Sequence, residues 1–198
     1  MKNQGSWCCE AVCSLYDLQQ SNVIHFTELK DGIYFNEYQM PLYSVADVII
    51  TWLDVEVESS LQFHVIQELL QSVRFQKCVL LDSFPWSQRA GLNISNMQLF
   101  TISSSNNMRF FHNIPLLPSP NYITGFGAEL FTFLRVIGKE VHLLCCCPEQ
   151  AFSVEPVFAL YQQVISLCGK EFKEEVSTYI LRILRRKASV SAFSNVYL

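Results

Sequence analysis

From Ser59 onward, apolar residues recur three and four positions apart, at Leu61, Val65, Ile66, Leu69, Leu70 and Val73. That spacing gathers them on one face of a helix, and Ser59 with Gln62 offers a capping box to start it. A second helical stretch follows Asn121, a candidate cap, with Ile123, Phe126, Leu130, Phe131, Leu134 and Ile137 in register before Gly138 stops it. Ser153 opens a third helix that ends near Cys168 and Gly169. The last helix is the most regular. Phe172, Val176, Tyr179, Ile180, Ile183 and Leu184 form its stripe, and Arg182, Arg185, Arg186 and Lys187 suit its electronegative C-terminal end.

Between and before these helices the pattern shortens to β-favouring runs. Glu10 to Tyr16, Val23 to Leu29 and Val45 to Trp52 are predicted strands, with turn signals at Asp31-Gly32 and Pro41. Lys77 to Asp82, Met97 to Ile102 and Val141 to Cys147 have the length and aliphatic character of buried strands. Phe84-Pro85-Trp86 and the run from Ser103 to Asn107 read as loops, and Pro115 to Pro120 as an extended connector. A strand, the helix after Asn121 and the strand at Val141 make a βαβ unit, which favours a parallel sheet with both faces covered. The predicted fold is therefore α/β, a three-layer sandwich with a mostly parallel or mixed central sheet flanked by helices. Residues 1–187 form one domain, and 188–198 a flexible tail ending in Val196-Tyr197-Leu198.

Composition narrows the function classes. Half of the 198 residues are apolar, only 16% are charged and 13% are aromatic, so the chain has ample core and a surface suited to burial against a partner. A net charge of −4 supplies no general attraction to phosphate, which argues against nucleic acid as a partner. No apolar run reaches the ~20 residues of a spanning helix, and the N-terminal stretch through Glu10 has no continuous apolar segment of a secretory signal. The expectation is a soluble cytoplasmic protein, with the nucleus as a second compartment, no membrane partner and eight reduced cysteines. The Asn93-Ile94-Ser95 sequon is then an accidental match.

Candidate chemistry is sparse. Cys145, Cys146 and Cys147 alternate across a strand and do not converge on one ion, while Cys8, Cys9 and Cys13 would need a distant recruit such as His25 to close a zinc site. His25, His64, His112 and His142 are scattered and read as surface or structural residues. Gly125-Phe126-Gly127-Ala128 superficially resembles a phosphate loop but lacks the lysine, and no G-x-S-x-G elbow occurs. No catalytic residue, metal or cofactor is therefore predicted. The enzyme alternative is a phosphorylase- or hydrolase-like ligand site at Asn121, Gly125 and Gly127, where α/β folds bind at strand ends. The tail is a different kind of candidate. An apolar residue, a tyrosine and a free terminal carboxylate can enter one cleft together, the plain alternative being a frayed or self-packed terminus.

Two segments carry a resemblance. Pro120-Asn121 leading into a helix with Ala128 and Leu130, followed by Val141-His142-Leu143-Leu144-Cys145-Cys146, is similar to the corresponding stretch of the eukaryotic proteasome assembly chaperone 1 family. The ending Ser194-Asn195-Val196-Tyr197-Leu198 resembles that family's hydrophobic-Tyr-X C-terminus. The resemblance covers the last 80 or so residues best, and Ser59 to Asp82 follow the same order with weaker likeness. It implies a non-enzymatic subunit that pairs with proteasome assembly chaperone 2 as a hetero-oligomer and sits on the α-subunit ring of the 20S proteasome. It also implies a fold resembling the nucleoside phosphorylase/hydrolase architecture without a working active site. By the same likeness Val196 supplies an apolar plug, Tyr197 the orienting ring and Leu198 the terminal carboxylate for a pocket between α subunits. Bound there, the dimer favours ring assembly and obstructs unproductive ring association. Family members carry a longer N-terminal region, which implies a divergent or shortened N-terminal half here.

Overall fold

A computed structural model describes Cys9, Cys13, residues 19–30, 33–45, 47–53, 57–83, 99–104, Phe111, 114–120, 122–146, 154–169, Thr178 and Arg182. Among these residues the elements run β1 (Gln20–Lys30), β2 (Ile33–Val45), β3 (Val48–Thr51), α1 (Ser59–Ser72), β4 (Lys77–Ser83), β5 (Leu99–Ser103), α2 (Phe126–Val136), β6 (Glu140–Cys146) and α3 (Val154–Leu167). The strands form two three-stranded sheets, β1-β2-β3 and β4-β6-β5. No described helix is long and apolar enough to cross a membrane.

The second sheet is the middle layer. On β6, Val141, Leu143 and Cys145 face a core shared with Val65, Ile66 and Leu69 of α1 and Leu130, Phe131 and Leu134 of α2. Leu144 and Cys146 face a second core shared with Leu160, Tyr161, Val164 and Ile165 of α3. Adjacent cysteines thus lie in separate cores, as strand alternation requires. The first sheet contributes to both: Ile24, Met40 and Leu42 join the α1–α2 side, and Val45 and Ile50 the α3 side. The observed fold is the predicted α/β sandwich, with a mixed central sheet.

Several local expectations are corrected. Residues β5 and β6 were expected to bracket a parallel unit, but Leu99↔Cys146 through Ser103↔His142 pair antiparallel, and the parallel pair is β4 with β6, Lys77↔Glu140 to Ser83↔Cys146. The chain turns back after β5 and is stitched to it: the Thr101 amide donates to the Pro115 carbonyl and the Leu117 amide to the Thr101 carbonyl, around an isolated Thr101–Leu116 bridge. Cys9 and Cys13 are both helical and buried, Cys13 against the strand predicted over Glu10 to Tyr16, and both pack into the α3 core. Val45 to Trp52 is not one strand, because Asp47 lies in the turn of a tight β2–β3 hairpin that pairs Val45 with Val48. Pro41 lies inside β2, just before the stretch Leu42–Val45 that β3 covers, where one edge is open and a missing N–H is tolerated.

The helix ends also differ. Glu58, not Ser59, caps α1, and Gln62 is buried with its Nε2 donating to the Val57 carbonyl at 3.1 Å instead of closing a capping box. Helix α2 starts at Phe126 after Gly125, which has φ of 91°, so Ile123 precedes the helix. Its stop is the predicted one: Gly138 adopts φ of 76°, and the Lys139 amide donates to the Leu134 carbonyl. Of the predicted last helix only Thr178 and Arg182 are described, and both are helical.

Leu134 is fully buried between α2 and the sheet. Leu134→Ala should cost roughly 2–5 kcal/mol through lost burial and a residual cavity, read as a lower urea midpoint with an unchanged slope.

Candidate functional site

Three features are candidates: the C-terminal end of β4 beside α2, the opposite end of the same sheet, and the tail. At the first, Gly125 provides the positive φ that admits the chain to α2, and Gly127 lies in the helix's first turn. The carboxylate of Asp82, at the end of β4, is packed against Gly127 so closely that a methyl in place of its hydrogen would overlap Oδ2 and meet Cγ at 3.0 Å. Glycine is required here for close approach, not for φ. A carboxylate at a helix N-terminus is favoured by the peptide dipoles, and it occupies the place where an anionic ligand would be received. At the ligand site anticipated at Asn121, Gly125 and Gly127, the chain's own Asp82 carboxylate lies against Gly127. Asn121 lies outside the described residues.

At the other end, a line of polar contacts crosses all three strands. Ser103 Oγ of β5 lies 3.0 Å from His142 Nδ1 of β6, His142 Nε2 lies 3.0 Å from Glu140 Oε1, and Lys77 Nζ of β4 lies 3.1 Å from the same oxygen. His142 has no exposed surface, and the edge of Phe111 lies against its ring. In the tautomer that carries its proton on Nε2, His142 donates to the Glu140 carboxylate and its Nδ1 accepts from the Ser103 hydroxyl. Ser104 extends the seam, its Oγ accepting from the Val141 amide at 3.0 Å. Hydrogen bonds first from His142 and then from Lys77 hold the Glu140 carboxyl below the usual carboxylate range. The residue order is that of a nucleophile, an imidazole and a carboxylate. Its placement across β5, β6 and β4, with Lys77 drawing on the same carboxylate, makes it a tie between strands. Sequence reading assigned His142 a structural role but did not find its partners, because Ser103 and Lys77 meet it only through strand register.

Cys9, Cys13 and Cys78 offer little reactivity. Burial, with the neighbouring Cys13 and Cys168 thiols adding to it, pushes Cys9 up to about 12, and burial first and Cys168 second push Cys13 to about 12. Burial alone pushes Cys78 to about 12. Such thiols stay protonated and are poor nucleophiles and ligands. Among the described residues no three His, Cys, Asp or Glu side chains are grouped to hold a metal ion. The tail residues Val196, Tyr197 and Leu198 lie outside the described residues.

The α–β–α sandwich defines a class of fold, and solved structures share it. PbaA of Pyrococcus furiosus, described as an archaeal homolog of proteasome-assembly chaperone, matches with a TM-score of 0.64 and 14% identity over 96% of this chain and 88% of its own. A proteasome-assembly chaperone homologue of Mycobacterium tuberculosis matches with a TM-score of 0.61 and 11% identity, covering 96% and 91%. PbaB of Pyrococcus furiosus, described as an archaeal proteasome activator, gives 0.67 and 10%, covering 97% and 88%. At these identities the likeness is one of fold. No protein-family model matches the chain, and no curated protein matches it in sequence.

Gly127→Ala should destabilise by about 1–3 kcal/mol through overlap with Asp82, and the cost should shrink in the Asp82→Ala background; additive costs in a double-mutant cycle would show that the two do not meet. Because the Glu140 carboxyl is lowered in the folded state, its contribution is present above the ordinary carboxylate range and is lost as pH falls through the lowered value. Glu140→Gln should therefore flatten the acid limb of the unfolding midpoint against pH while leaving the neutral-to-alkaline limb parallel to the parent.

Proposed function

We propose that the chain is a proteasome assembly chaperone subunit that binds its partners and catalyses nothing. The observation that carries this reading is the fold: proteins described as proteasome-assembly chaperone homologues share it over nearly the whole chain. The strand end supports it too, since the Asp82 carboxylate crowds Gly127 where a phosphorylase- or hydrolase-like ligand was the alternative. In this reading the chain pairs with proteasome assembly chaperone 2 and docks on the α subunits of the 20S proteasome, in the cytoplasm and the nucleus.

The tail is the proposed docking element. Val196 enters an apolar pocket between α subunits, the Tyr197 ring packs on the pocket wall and fixes the tail's direction, and the Leu198 carboxylate is received by a cation and backbone amides. A bound dimer then promotes α-ring assembly by holding subunits together and blocks unproductive ring association by occupying the outer face.

The test is affinity purification of the tagged chain beside a version ending at Asn195, with bound proteins identified by mass spectrometry. Proteasome α subunits and a second chaperone should accompany the full chain. The shortened chain and Tyr197→Ala should lose at least tenfold of the α subunits while keeping the chaperone and an unchanged circular dichroism spectrum. Undiminished α-subunit recovery without the tail would overturn the docking mechanism.

A further inference from the structure

Helix α1 buries Gln62, Val65, Ile66 and Leu69; its exposed positions, among them Ser60, Phe63, His64, Gln67 and Gln71, include no acid, lysine or arginine, and its one carboxylate, Glu68, is half-buried. A solvent-facing helix ordinarily carries charges there. Phe63 is 55% exposed, and its ring meets that of Phe133 on α2 edge-on at 5.7 Å. Beyond Phe133 the face continues through Val136, 79% exposed, and Ile137, 45% exposed. Thr132 adds to it, because its hydroxyl already donates to the Ala128 carbonyl at 2.8 Å and leaves the methyl as its unsatisfied surface. Exposed aromatic and aliphatic groups on a ground depleted of charge have the composition of an interface core.

The charges of α2 indicate what covers the face. Glu129 stands in its first turn and Arg135 in its last, both exposed, and each is three residues from Thr132. Two such helices laid antiparallel about a twofold axis at Thr132 bring each Glu129 opposite the other copy's Arg135 and set the helix dipoles in opposition. The same operation puts Val136 opposite Ala128, whose small side chain leaves room for it. The pattern is complementary to itself. A parallel arrangement would instead align like charges.

We propose that a second copy of this chain docks on the α1–α2 face, its α2 antiparallel to the first. The inference is independent of the tail's role, since Val196, Tyr197 and Leu198 take no part in it. A different chain that took the same face would displace the second copy.

Sedimentation equilibrium of the purified full-length chain tests this. The chain should be dimeric at about 10 μM, a range typical of modest interfaces. Val136→Glu should make it monomeric with an unchanged far-ultraviolet spectrum. Glu129→Arg and Arg135→Glu should each weaken the dimer by roughly tenfold or more, and the double reversal should restore it to within a few-fold of the parent. The chain ending at Asn195 should dimerise as the parent does, so loss of proteasome binding and loss of the dimer are separate results. A chain that stays monomeric at ~100 μM, one that associates only with a different protein, or a dimer indifferent to both Val136→Glu and the single reversals overturns the proposal.

Discussion

Strand β6 has two dry faces, and the described architecture follows from that constraint. From Val141 to Cys146 every residue is buried, so neither side of the strand can be left to water. Helices α1 and α2 cover one side and α3 the other, while β4 and β5 take up its backbone hydrogen bonds on both edges. A polar side chain in such a place needs partners. His142 finds them in Ser103 and Glu140, and the resulting seam spans the whole width of the sheet to Lys77. The middle of the molecule is largely apolar packing, and the polar seam through His142 fastens the three strands together at one end.

The two ends of that sheet are chemically unlike. Where β4 finishes, an anion of the protein's own lies against the first turn of α2 and Gly127 makes room for it. Where β4 and β6 begin, a lysine, a carboxylate, an imidazole and a hydroxyl satisfy one another in sequence. In both places the groups that an enzyme would direct at a substrate are directed at the protein itself. The low charge content of the chain and the uncharged exposed positions of α1 leave an apolar surface of the kind that protein partners cover.

Periodicity made the helices and the central strand legible. The stripe at Leu130, Phe131 and Leu134, the stop at Gly138 and the alternation of Cys145 with Cys146 are local consequences of residue type, and each lies where the spacing placed it. Strand direction was not legible, because nothing within Leu99 to Ser103 records that β5 runs antiparallel to β6. The strand predicted over Glu10 to Tyr16 failed at Cys13 for a related reason: β-favouring composition says little about a short apolar run that pairs four residues apart against a helix. The contacts of His142 and of Gly127 were invisible in the sequence. Ser103 and Lys77 are brought to the His142–Glu140 pair by register across strands distant in sequence, as the Ser103–His142 separation of 39 illustrates, and Asp82 meets Gly127 where α2 packs at the end of β4.

The stitched return after β5 also settles how this sheet can grow. An edge strand normally offers a row of unpaired amides and carbonyls to any extended peptide that comes alongside. Here the row is interrupted at Thr101, whose amide and carbonyl are both spent on the connector, and Pro115, Pro118 and Pro120 have no N–H with which to continue a ladder outward. Strand addition is blocked at Thr101, which helps keep an aliphatic sheet from templating its own aggregation along the described part of that flank.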